Sequence, residues 1–159
     1  MSRLLPYKHV DAAIEAFRGL KGQRLIVVGS GPEERRLRAM APPNVLLLGS
    51  VSDTQVRWLY ANTAGLVAAS FEDYGLTPLE AAAFGKPTAA LRWGGYLDTV
   101  CEGETGVFFD RPEAADVRQA VLELLGGAFS AVRLRSHADA FSEERFIQRL
   151  RAIVEESGQ

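Results

Sequence analysis

One cysteine, two histidines and a formal net charge of -2 leave several kinds of chemistry without material in this 159-residue chain. A lone Cys101 cannot close an internal disulfide or build a cysteine zinc site, so a reducing compartment is the natural setting. His9 and His137 stand far apart, without acids at ligand spacing, and no metal site is expected. With no surplus of basic residues there is no electrostatic footprint for nucleic acid. The longest apolar runs, four to six residues, are far too short to cross a bilayer, and no signal peptide is visible. What remains is a chain that is 47% hydrophobic and long enough to bury a core of its own.

Short apolar runs recur about every twenty residues, at 25–28, 45–48, 66–69, 87–91 and 107–109. Bounded by Gly or Pro, they read as strands buried on both faces. Between them, helical periodicity runs over 11–17, 33–40, 54–61, 79–84 and 97–102, with two further helices at 112–125 and 142–155. Alternation of this kind predicts one α/β domain over residues 1–159. Its architecture is a single doubly wound, Rossmann-like parallel sheet with helices on both faces. Proline at the first helical position is expected after Gly31 and after Thr77. Ser52 with Gln55, and Thr77 with Glu80, have capping-box spacing, and Gly85 before Pro87 reads as a helix stop.

Doubly wound sheets bind ligands beyond the carboxyl ends of their strands. The loops at 29–32, 49–53, 70–77 and 92–96 should therefore share one rim. The third loop, within "SFEDYGLTPLEAAAFGKP", carries Glu72 and leads into a helix bearing Glu80. A helix N-terminus attracts phosphate, whereas carboxylates suit neutral diols, because each can accept from two hydroxyls. Glu80 could equally close a cap with Thr77, and Glu72 could be a solvated loop acid. Arg3 and Lys8 could together neutralise a diphosphate, or be two exposed bases near a terminus. "VVGSGP" supplies Gly29 and Gly31, but Glu34 stands where a dinucleotide fingerprint needs a third glycine, so a tight strand-to-helix turn is the better reading. Trp58, Tyr60 and Phe84 read as helix faces turned to the core.

In this order, Arg3…Lys8, "VVGSGPEERRL", "NVLLLGSVSD", the Glu72–Glu80 pair with seven residues between, and "WGGYLDTVCEGETGVFF" resemble one family. They are similar to the C-terminal, nucleotide-sugar-binding half of retaining group 1 glycosyltransferases of the GT-B fold. The resemblance covers nearly the whole chain. It implies that Glu72 contacts donor-sugar hydroxyls, that Glu80 holds the ribose diol, and that Arg3 and Lys8 bind the diphosphate as it departs. Backbone amides of Tyr74, Gly75, Leu76 and Thr77 would meet sugar and phosphate, and backbone near Val51 the base. Ala69 stands where the family often has proline, and Asp98 where a glutamate usually follows the Gly-Gly motif.

The implied activity is hexosyl transfer from a nucleoside-diphosphate sugar to a hydroxyl acceptor, with no metal and no cofactor. GDP-mannose is the first donor suggested, since "EDYGLTP" is nearest to mannosyl-transferring members. Two-domain enzymes of this family carry the acceptor site on an N-terminal domain. That domain is expected to be the partner missing here, and the isolated chain is expected to be inactive. A cytoplasmic location follows, with the full-length enzyme compatible with peripheral attachment to a membrane. Two rivals remain: half of a nucleotide-sugar epimerase, and a nucleotide-binding module that never turns over.

Overall fold

The apolar run Leu-Ile-Val-Val becomes strand β1 (Leu25–Val28) in the computed structural model, which describes residues 1–157. The other runs form β2 (Val45–Gly49), β3 (Leu66–Ala68), β4 (Thr88–Leu91) and β5 (Gly106–Phe109), each close to its expected bounds. All pair in parallel. They do not, however, form one continuous sheet. β1 pairs with β2, β3–β4–β5 form a second sheet, and no strand joins β1 to β3 among the described residues.

The helices are α1 (Val10–Arg18), α2 (Glu34–Met40), α3 (Asp53–Asn62), α4 (Leu76–Ala83), α5 (Tyr96–Thr99), α6 (Ala114–Gly126), α7 (Ala131–Asp139) and α8 (Glu143–Ser157). α1 buries Ala13, Ile14 and Phe17, with the partly buried Val10 one turn ahead of them, and packs against α6, which buries Val117, Ala120, Val121 and Leu124; both sets have the i, i+3, i+4, i+7 spacing. α3 starts as expected: the Ser52 hydroxyl accepts from the Gln55 N–H, and the Gln55 side chain accepts from the Ser52 N–H. α4 ends as expected. Gly85 lies at φ 71°, and the Lys86 N–H reaches back to the Ala81 carbonyl. Among the described residues no helix is long and apolar enough to cross a membrane.

Several expectations need correction. α4 begins at Leu76, capped by Gly75 in the left-handed region at φ 82°, so Pro78 is the third helical residue and Thr77 caps nothing. The Thr77–Glu80 capping box therefore does not form. Pro32 likewise lies in a turn two residues ahead of α2. α7, which has only Leu134 buried, was not expected at all. β1 and β2 are not buried on both faces: Ile26 is 42% and Leu46 55% exposed. Trp58, expected in the core, is 64% exposed, whereas Tyr60 is buried and stacks on Phe84 with ring centroids 5.6 Å apart.

Candidate functional site

β3 ends at Ala68, and the chain turns at once through Ser70, Phe71 and Glu72. Two features hold this turn. Phe71 sits edge-on between the His9 ring and the Trp93 ring, each centroid 5.2 Å away. The Gly95 N–H donates to the Glu72 carbonyl at 2.9 Å. Gly94 and Gly95 are needed here, because a methyl on either would land on the main chain of Glu72 or Tyr74. The loop after β4 is thus clasped directly against the loop after β3.

Side chains complete the cluster. The Glu72 Oε1 oxygen pairs with the Lys8 ammonium and accepts from Ser70 Oγ at 2.9 Å. Ser70 Oγ is 2.8 Å from the Tyr96 hydroxyl. Ser70 has one proton and gives it to Glu72, so Tyr96 is the donor in that bond. The chain of bonds runs from Tyr96 to Ser70 to Glu72, with Lys8 meeting the same carboxylate oxygen. Burial, the largest cause, pushes the Tyr96 phenol up to about 12; the bond to Ser70 pulls it down and the charge of Glu72 pushes it up. Tyr96 is therefore a neutral donor at neutral pH. With Oε1 held by two partners, Oε2 is the oxygen of Glu72 left to accept from a ligand hydroxyl.

The cluster lies beyond the carboxyl end of β3, next to the N-terminus of α4. The N–H groups of Leu76 and Thr77 there have no intrahelical acceptor. Lys8, Ser70, Glu72, Thr77, Tyr96 and Met1 line a single small cleft of about 70 Å³. Of the expected site residues, Lys8, Glu72 and Thr77 are thus brought together. Gly75 is buried beside the Tyr96 ring, while the Tyr74 and Leu76 side chains are exposed. Arg3 is exposed and outside the cleft lining, and Val51 is half-buried just ahead of the α3 cap.

Glu80 lies outside that lining, exposed on α4, where it accepts from the Tyr60 hydroxyl at 2.8 Å. Of the two roles left open for Glu80, the cap is removed. Burial, then the charge and hydrogen bond of Glu80, push the Tyr60 phenol well above its ordinary value, so it too stays a neutral donor.

Gly29 and Gly31 are accounted for by chain packing. A methyl on Gly29 would strike the Ser2 carbonyl, and one on Gly31 the Leu4 backbone. These glycines let residues 2–4 cross the end of β1. Ser70, Tyr96 and Tyr60 were missed as site residues. The first lay two positions before Glu72 and the second directly after Gly94-Gly95, and both motifs were visible.

The model of the family "Glycosyl transferases group 1" matches residues 1–141. The chain belongs to the group 1 glycosyltransferases. An alpha-1,3/1,6-mannosyltransferase from Dictyostelium discoideum is 33% identical to it over 116 residues, 69% of this chain and 27% of that protein. A glycogen synthase from Thermus thermophilus is 32% identical over 165 aligned residues, 99% of this chain and 38% of that protein. In fold, the group 1 domain matches a sucrose-phosphate synthase from Thermosynechococcus elongatus with a TM-score of 0.84 and 22% identity, over 98% of this chain and 44% of the other. It matches the Anabaena protein HepE, solved with UDP-glucose, with a TM-score of 0.83 and 22% identity, over 99% and 47%. The chain thus spans less than half the length of each of these relatives.

Proposed function

We propose that this group 1 domain binds the donor of a retaining glycosyl transfer, a nucleoside-diphosphate sugar. The observation that carries the reading is the convergence of Lys8, Glu72, Ser70 and Tyr96 beside the start of α4, beyond the strand ends where doubly wound sheets take ligands. Lys8 and the free amides of α4 supply positive potential for a diphosphate. Glu72, fixed by its neighbours, presents Oε2 to a sugar hydroxyl. Glu80, held by Tyr60 through one oxygen, keeps the other for a ribose diol. Arg3 completes the phosphate site only if its side chain swings from solvent toward Lys8. A developing negative charge on the leaving diphosphate would be met by groups already in place.

The base and sugar are assigned by titration. GDP and GDP-mannose are the first ligands, supported by the mannosyltransferase relatives, one of them named GDP-mannose-dependent. UDP and UDP-glucose come second, because the Anabaena relative was solved with the latter. One pair should bind the pure chain in the high-micromolar to millimolar range, roughly -4 to -6 kcal/mol, with or without a chelator. Binding that vanishes with the chelator would count against this site.

Glu80→Gln separates the ribose role from a merely structural one. Glutamine retains a carbonyl oxygen for the Tyr60 hydroxyl, so the melting temperature should hardly move. A charge-assisted hydrogen bond is worth about 1.5–3 kcal/mol, so nucleotide affinity should fall roughly ten- to hundredfold. Unchanged affinity would remove Glu80 from the site.

Transfer itself should not occur in the isolated chain. Excluding water and seating an acceptor need a second wall to the cleft, which these residues do not provide. Sustained transfer to any hydroxyl acceptor by pure 159-residue protein would overturn this.

A further inference from the structure

Two consecutive residues, Lys8 and His9, grip two consecutive residues of the loop after β3, Glu72 and Phe71. Lys8 pairs with the Glu72 carboxylate, and the His9 ring meets the Phe71 ring at 5.2 Å and 78°. The second contact has an unusual origin. His9 is the one non-glycine residue with a positive φ among the described residues, at φ 48° and ψ 36°. The backbone shows why the bend falls there. The tight turn Pro6–Lys8 closes on the His9 N–H, which donates to the Pro6 carbonyl at 3.1 Å, and α1 starts at Val10. No residue is left between turn and helix, so His9 alone takes the change of direction.

Glycine adopts this left-handed conformation without steric cost, whereas a residue with a Cβ is strained in it. What glycine would lack here is the ring. That ring does not build the core: Phe71 is 39% and Trp93 41% exposed, so the stack of His9, Phe71 and Trp93 lies at the surface. It joins three segments around the site instead, the start of α1 and the loops after β3 and β4. It also adds something that Lys8 and Ser70 cannot. Both of those hold Oε1 of Glu72, which leaves the carboxylate free to swing about that one oxygen. Holding Phe71 fixes the main chain one residue upstream, and with it the direction of Oε2. A ring on two torsions is also ordered at less entropic cost than a lysine stem.

We propose that His9 is a positioning residue for the sugar-bearing part of the donor: its ring, held out by a strained backbone, clamps Phe71 and so sets the pose in which Glu72 presents Oε2. The proposal rests on the donor-site reading above. His9 stands outside the lining of the small cleft and acts through Phe71. Diphosphate binding depends on Lys8 and the amides of α4 and should be nearly indifferent to the ring.

The test compares His9→Asn, which tolerates the left-handed backbone but has no ring, with His9→Phe, which keeps a ring. His9→Asn should bind GDP-mannose or UDP-glucose, whichever the parent takes, at least about fivefold more weakly, while the matching GDP or UDP changes by less than about twofold. In the ligand-free chain the Gly95 N–H, which donates to the Glu72 carbonyl, should exchange about tenfold faster, and the buried Thr88 N–H of β4 at its parent rate. His9→Phe should bring both readouts back to within about twofold of the parent, although its melting temperature should fall by about 2–4 °C because phenylalanine suits this backbone less well. Phe71→Leu should reproduce the losses of His9→Asn, and the double variant should lose no more than either single one. If His9→Phe does not fold, that double-variant comparison decides in its place. Equal losses of nucleotide and sugar nucleotide, additive losses in the double variant, or equally faster exchange at Thr88 would each overturn the proposal, the last by making His9 a residue of general stability. A parent that binds none of the four ligands would defeat the donor reading instead. Exchange then decides the clamp alone, and unchanged protection of Gly95 in His9→Asn overturns it.

Discussion

Gly95→Ala should lower the melting temperature by about 5–10 °C and weaken nucleotide binding at least about tenfold at temperatures where the variant is folded. The backbone of Gly95 is helical, at φ -62° and ψ -14°, so alanine is free of torsional strain there. The cost is spatial. The new methyl would overlap the Tyr74 main chain, which cannot rotate aside as a side-chain tip can. Overpacking of this kind costs about 1–3 kcal/mol; near the upper end, and at roughly 2–4 °C per kcal/mol for a domain of this size, it gives the stated shift. Binding falls because relief requires the loop to retreat, carrying Glu72 and the approach to α4 with it. Gly126→Ala is the control: its methyl meets open space at the end of α6, and no loss is expected. Calorimetric melting with nucleotide titration reads both effects. A folded Gly95→Ala chain that binds normally would show that this loop is not the donor loop.

Lys8→Met should weaken diphosphate binding by about a hundredfold or more. Methionine keeps much of the apolar stem and removes the charge. Losing a charge-assisted contact costs about 1.5–3 kcal/mol, and the released Glu72 carboxylate then repels the anion as well. Stability should also fall, because Glu72, with its side chain 30% exposed, loses its countercharge. The double variant Lys8→Met, Glu72→Gln distinguishes the two losses. It should regain most of the stability, since no unpaired charge is left, but not the affinity for GDP or UDP. Single and double variants that all bind like the parent would leave Lys8 as a structural counterion for Glu72 and nothing more.

Features set by local chemistry were legible. β1 was read to the residue, and the Ser52–Gln55 cap formed because both partners lie within one turn. The Thr77–Glu80 pair has the same spacing and failed. Gly75 takes the left-handed cap two residues earlier, and Tyr60 of α3 draws off the Glu80 carboxylate. That competition is tertiary and leaves no mark on the motif itself. The contact from Ser70 to Tyr96 spans 26 positions and depends on the Gly94–Gly95 clasp, so neither residue announces it alone. α7 was hidden because its nine residues bury one leucine and present polar side chains elsewhere. The broken sheet was invisible for a related reason: apolar runs declare strands, not which strands become neighbours.

One short stretch ties the two ends of the molecule's business together. Leu4 is pinned to Ser30, and Lys8 is locked to Glu72; only Leu5, Pro6 and Tyr7 lie between, and residues 6–8 form a single tight turn. Such a leash has little slack. Whatever fixes residues 1–4 against β1 also fixes where the ammonium group of Lys8 hangs, so ordering this stretch and gripping a nucleotide should be thermodynamically coupled. Reciprocity then sets the terms: by whatever factor an ordered leash tightens the nucleotide, the bound nucleotide must tighten the leash by the same factor.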